Sequence, residues 1–250
     1  MSRPGTALKL ALLAAPLAAG VLSLRAFGEP AGRAARTASA AFAYPEHDHG
    51  AFRVRVRRGS DYHVFVAKAL DEFARTTARA HGLPLPPRVT VLLLDSEEDL
   101  ARFGLLADRL DQGGVADGAT GTLALVGDGR TRDPKLDERA LRHLMTHLLL
   151  PRSSPPWLAE GLAAHFETVA PAPATGEDLV PLASLLSIPE AEFRSPGKSR
   201  LLESARLLAA YLLEHEKAAI AGLLRGEAAG PFEDLPTLET RWRLWARRAR

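Results

Sequence analysis

The stretch from Leu141 to Glu167, LRHLMTHLLLPRSSPPWLAEGLAAHFE, gathers residue types that hold metal ions. On a helix, His143 and His147 lie four residues apart. Their imidazoles then project from one face at the separation two ligands of one ion require. Leu141, Leu144, Leu148 and Leu149 would bury that helix. Pro151, Pro155 and Pro156 break it, and a second helix opens around Trp157 with Glu160 in its first turn. Two neutral imidazoles and one carboxylate make a three-ligand site with a fourth position open, the donor set of catalytic zinc. The histidine spacing also fits two solvated side chains on an amphipathic helix. Glu160 in a first turn is favoured by the helix dipole without any ion.

The second motif, Trp157-Leu158-Ala159-Glu160-Gly161, followed by Leu162-Ala163 and Phe166-Glu167, gives the pair its specificity. Together the motifs resemble the gluzincin-type zinc peptidases, in particular exported bacterial peptidase-MA-like domains that pair an H-E-x-x-H helix with a W-L-x-E-G helix. The resemblance extends over most of residues 44 to 250. It takes in a strand before the histidine helix, the PLASLL segment at Pro181, a long helix around Leu201 to Leu213 and a closing Leu238 to Trp242. It implies a zincin-like α+β fold, one zinc ion on His143, His147 and Glu160, and a peptide or protein as substrate or ligand. Trp157 reads as a packing anchor near the ligands, and Glu167 as a solvated or supporting carboxylate behind them.

The sequence departs from that family at one decisive position. Where the family has a glutamate directly after the first histidine, this chain has Leu144. Such a glutamate moves a proton from water to the leaving amine, a contribution of typically ~10² to 10⁴-fold in rate. Leucine can neither take nor return a proton. Glu167 lies nearly in phase with Glu160 but ~10 Å further along the helix axis, too far to share one water. His165 points away from that face, and Glu46, Asp48, Glu203 and Glu214 could approach only through the tertiary fold. The expectation is therefore an exported zinc-peptidase-like protein that keeps its ligands, has no catalytic residue in the base position and acts as a binding module. An active zinc hydrolase with a displaced base and a metal-free structural protein of the envelope are the alternatives.

The elements that must position these residues follow from periodicity. Phe52, Val54 and Val56 alternate with Arg53, Arg55 and Arg57, the period of a half-buried strand. Asp61 to Ala80 has helical spacing, ended by His81-Gly82; Val89 to Leu94 and Leu123 to Val126 read as strands. Ser96 stands where a helix cap would, Gly113-Gly114 and Gly118 to Thr122 read as turns, and the chain after Asp133-Pro134 is mainly helical. The predicted class is α+β, a small mixed sheet with helices in an N-terminal lobe and a mainly helical C-terminal half.

The 250 residues, 46% hydrophobic and 25% charged, are enough for one globular domain over residues 44–250. A formal net charge of +2 gives no polycation for nucleic acid. The absence of cysteine removes disulfides, thiolate-held metals and thiol nucleophiles. Arg3 and Lys9 before the uncharged run Leu10 to Leu24 read as an export signal or an N-terminal anchor over residues 1–28, followed by a linker over 29–43. That places the domain outside the cytoplasm, secreted or tethered to a membrane. His47-Asp48-His49 reads as a loop lacking a third metal partner. Gly197-Lys198-Ser199 lacks the first glycine of a phosphate loop, and no G-x-S-x-G elbow occurs. The arginine-rich end from Arg241, with Trp242 and Trp245, fits an ordinary terminal helix with one buried face.

Overall fold

A computed structural model describes residues 43–57, 60–105, 113–127, 134–167, 179–193, 195, 197–224 and 232–248, and the architecture is mixed α+β. The expected leader over 1–28 and, Ala43 apart, the linker over 29–43 lie outside the described residues. No helix among the described residues is long and apolar enough to cross a membrane.

Five strands form one sheet in the order β1-β2-β3-β5-β4: β1 (Glu46–His49), β2 (Phe52–Arg55), β3 (Val89–Leu94), β4 (Gly114–Asp117) and β5 (Thr122–Val126). The three inner strands run parallel, and each edge strand is antiparallel to its neighbour. Strand periodicity divides the side chains between two apolar layers. Val89, Val91 and Leu93 of β3 join the main core, while Leu92 and Leu94 join a smaller cluster on the other face with Tyr44, Leu100 and Val115. Leu123 and Leu125 of β5 likewise face the main core, and Ala124 the smaller cluster.

Two strands occupy positions where the sequence reads as loop or turn. β1 is polar throughout and only half buried on its better-covered face, so it carries no hydrophobic alternation; its register against β2 is closed by the turn at Gly50, whose φ is +72°. β4 begins at Gly114, where a Cβ would lie 2.4 Å from Leu144 Cδ1 and 2.8 Å from the Ala124 carbonyl oxygen. Glycine is there because backbone and leucine meet directly, not because the chain turns.

Helix α1 (Tyr62–Phe73) crosses from β2 to the parallel β3 and widens into a π-helical turn over Ala74–Ala78 before Gly82, at φ +65°, ends it. In α2 (Glu97–Arg102) the Ser96 hydroxyl caps no amide; it donates to Asp99 Oδ2 at 3.2 Å, the same oxygen that accepts from the buried Tyr44 hydroxyl at 2.7 Å. The remaining helices are α3 (Pro134–Leu149), α4 (Pro156–Glu167), α5 (Leu182–Ser187), α6 (Glu190–Phe193), α7 (Ser199–His215), α8 (Lys217–Leu224) and α9 (Leu235–Arg248). In α9, Leu238, Trp242 and Ala246 are buried, and Trp245 donates from Nε1 to Glu214 at 3.1 Å.

Helix α3 lies between the sheet, α1 and α4, and α4 makes its most extensive contact with α7. That second pairing rests on Gly161: a Cβ there would stand 2.4 Å from the Ala205 carbonyl oxygen and 2.8 Å from its carbon. Backbone cannot yield as a flexible side chain can. Gly161→Ala is therefore expected to lower folding stability by about 1–3 kcal/mol, read as a reduced denaturant midpoint with unchanged secondary-structure content. An unchanged midpoint would show that the two helices separate without cost.

Candidate metal centre

Helix α3 starts on Pro134, whose missing N–H is no loss at a first helical position. Leu141, Leu144, Met145 and Leu149 recur at helical spacing and are all buried, which fixes the rotation of the helix. That rotation carries His143 fully inside and leaves His147 partly open. Pro151 ends the segment. A turn then leads into α4, again opened by a proline, Pro156, with the amides of Leu158 and Ala159 bonding back to the Pro155 carbonyl. Glu160 comes on the fifth residue of α4, buried and turned toward α3.

The three side chains converge. One ligand atom from each of His143, His147 and Glu160 lies within 4.8 Å of the others. The two imidazole Nε2 atoms are 3.2 Å apart; Glu160 Oε2 is 4.0 Å from His143 Nε2, and Glu160 Oε1 is 3.9 Å from His147 Nε2. Two nitrogens and a carboxylate oxygen at this spacing are a donor set that a divalent ion can accept.

Glu167, two turns beyond Glu160, stands behind the cluster. Its Oε2 lies 3.4 Å from His143 Nδ1, and its Oε1 accepts from Arg139 at 3.3 Å. An acceptor at Nδ1 favours the tautomer that carries its proton there, which leaves the Nε2 lone pair facing His147 and Glu160. Arg139 lies one turn before His143 on α3, so helix spacing alone delivers both partners to one carboxylate. Trp157 is placed differently: it is buried in the main core with its ring 5.9 Å from that of Phe232, and it braces α4 from the side.

A cleft of about 720 Å³ opens on the cluster. Its walls are Gly114, Ala116 and Asp117 of β4, the following Gly118 and Ala119, Leu144, His147 and Leu148 of α3, Ala159 and Glu160 of α4, and Arg152 and Glu190 from the flanking segments. Leu144 is buried, presses on the bare backbone of Gly114 and lines the cleft beside His147. Asp117 has its carboxylate engaged in its own turn, accepting from the Ala119 amide at 2.9 Å and the Thr120 hydroxyl at 2.7 Å. Neither Asp117 nor Glu190 has any spacing relation to the histidines that sequence reading could have used. Glu46, Asp48, Glu203 and Glu214, the distant acids considered from the sequence, do not line the cleft.

His165, on the far side of α4, belongs to another environment. Burial first, then the charge of Arg206 and the neighbouring His81, push its pKa down to about 4. Its ring lies 5.2 Å from Phe166, and Arg206 is held in a two-point ion pair with Glu203 at 2.6 and 2.7 Å.

Glu167→Ala is expected to weaken divalent metal binding by about 10- to 100-fold, measured by competition with a chromogenic chelator, while a smaller loss than in His143→Ala separates an orienting role from a ligating one. For His165 the ordinary value of 6.5 holds in the unfolded chain, so between that pH and about 4 the unfolded chain binds a proton the folded protein refuses. Stability should accordingly fall as pH drops from about 6.5 to 4, by up to about 3 kcal/mol from this residue. His165→Gln should flatten that part of the urea-midpoint profile; an unaltered profile would assign the loss elsewhere. A scan against family models gives no match to this chain, and a search of curated proteins gives none either, so what the centre does rests on its geometry.

Proposed function

We propose that this chain is a zincin-like domain of the gluzincin type that holds one zinc ion on His143, His147 and Glu160 and binds peptide segments without cleaving them. The observation that carries the second half is Leu144: buried against Gly114 and lining the cleft, it puts hydrocarbon beside the cluster where hydrolysis needs a proton acceptor. A zinc ion held there supplies Lewis-acid polarisation of an oxygen ligand such as a peptide carbonyl.

The protein's own groups do the rest. Glu167 and Arg139 hold the His143 ring in register. The cleft runs along β4, which among the described residues is paired on one side only, with β5, and an extended peptide can add to such an edge through main-chain hydrogen bonds. Arg152 and the carboxylates Asp117, Glu160 and Glu190 give the cleft groups of both signs, suited to a polar peptide rather than to a lipid or a nucleic acid. The apolar run near the N-terminus suits export, with the domain working outside the cytoplasm, free or tethered.

A second reading is favoured by Glu190, whose place in the same cleft wall makes it the candidate for a displaced base in an active hydrolase.

Elemental analysis and a peptide-library assay decide between these. Wild type should carry close to one zinc per chain, lost in His143→Ala, and should release no chelator-sensitive products, whereas Leu144→Glu should gain them. Wild type without zinc would sink the proposal. Chelator-sensitive cleavage by wild type that disappears in Glu190→Gln would replace it with the second reading.

A further inference from the structure

The motif His47-Asp48-His49 is part of neither the cleft nor the core, yet the fold supplies it with a third histidine. Side chains two apart on a strand share a face, and β1 turns His47 and His49 to its half-buried side while Glu46 and Asp48 face solvent. The acids are occupied there: Glu46 pairs with Arg55 at 2.8 Å and Asp48 with Arg88. Helix α1 brings His63, on its second residue, against the opposite face. The His63 ring stacks on His47, with centroids 3.7 Å apart and planes 7° from parallel, and its Nδ1 lies 2.9 Å from His49 Nε2.

We propose that His47, His49 and His63 form a second metal site, separate from the cleft, that takes a divalent transition-metal ion of the Cu²⁺ type. His63 touches both strand imidazoles, so the strand and the start of the helix bring three ligating side chains to one place. Between His49 Nε2 and His63 Nδ1 there is one shared proton to displace, and these nitrogens already stand at chelating separation. His47 lies flat on His63, so it joins the same ion by swinging its partly exposed ring out of the stack. Nitrogen-only donors without thiolate place Cu²⁺ above Ni²⁺ and Zn²⁺ in affinity. Such an ion would tie the edge strand to the start of α1. It does not depend on what the cleft binds.

The test is a Cu²⁺ titration of the full chain against a competing amino acid, followed by calorimetry and electron paramagnetic resonance. His63→Gln and His49→Gln are each expected to bind one ion per chain fewer than wild type, and to lose the nitrogen hyperfine pattern of multiple imidazoles at that site. In His143→Ala the nitrogen hyperfine pattern from the β1 site should be retained, whatever the cleft takes up. Two variants at opposite ends of the pair guard against a folding defect in either, checked by their circular dichroism. An ion count and spectrum unchanged in both His63→Gln and His49→Gln would overturn the proposal, as would binding too weak to withstand the competing amino acid.

Discussion

The α3–α4 pairing holds two imidazoles and a carboxylate together in a place the surrounding leucines would otherwise fill. Taking such groups out of water costs several kcal/mol for an ionised one that lacks compensation, so the arrangement survives only if it is compensated from outside itself. Arg139 and Glu167 extend the polar network one layer back, to the solvent-facing side of the helices. Hydrocarbon does the rest: Leu141, Met145 and Leu149 on α3 and Leu158 and Leu162 on α4 bind the two helices around the cluster. The polar centre is tolerated because the apolar frame around it is large.

Helix α4 links this centre to the remainder of the fold through adjacent residues. Glu160 faces α3, and Gly161, the next residue, lets α7 come to backbone contact on the other side. A single short motif thus settles both where the carboxylate points and how closely the C-terminal helices approach. Packing and site are not separable there, and a change meant for one is felt by the other.

The sequence is informative where a period is imposed by burial and silent where it is not. The strand β2 and the helices α1 and α3 are legible because apolar residues repeat at two or at three and four, and β3 and β5 because short apolar runs suit strands covered on both faces. The edge strands β1 and β4 have no such repeat: one is polar on both faces, the other starts on a glycine that packing demands. At the centre, four-residue spacing puts His143 and His147 on one face, and the proline break predicts a second helix bearing Glu160. The contact of Glu167 with His143 needs the angle between two helices, which no local pattern encodes. His63 as partner to His47 and His49 is likewise a tertiary fact, since a helix start and an edge strand 14 residues apart share no period.

Leu144 and Gly114 are two halves of one fit. Any side chain at 114 would meet both the leucine and the Ala124 carbonyl, so the strand cannot acquire one while β4 keeps its pairing with β5. The freedom to vary therefore lies with the helix. A side chain at 144 can change shape and polarity more cheaply than residue 114 can gain one, and whatever occupies 144 meets an unclothed peptide backbone on the strand side of the cleft. An acid placed at that position would inherit a neighbour shaped for hydrocarbon, so the carboxylate and the strand would have to settle a fit that now belongs to a leucine.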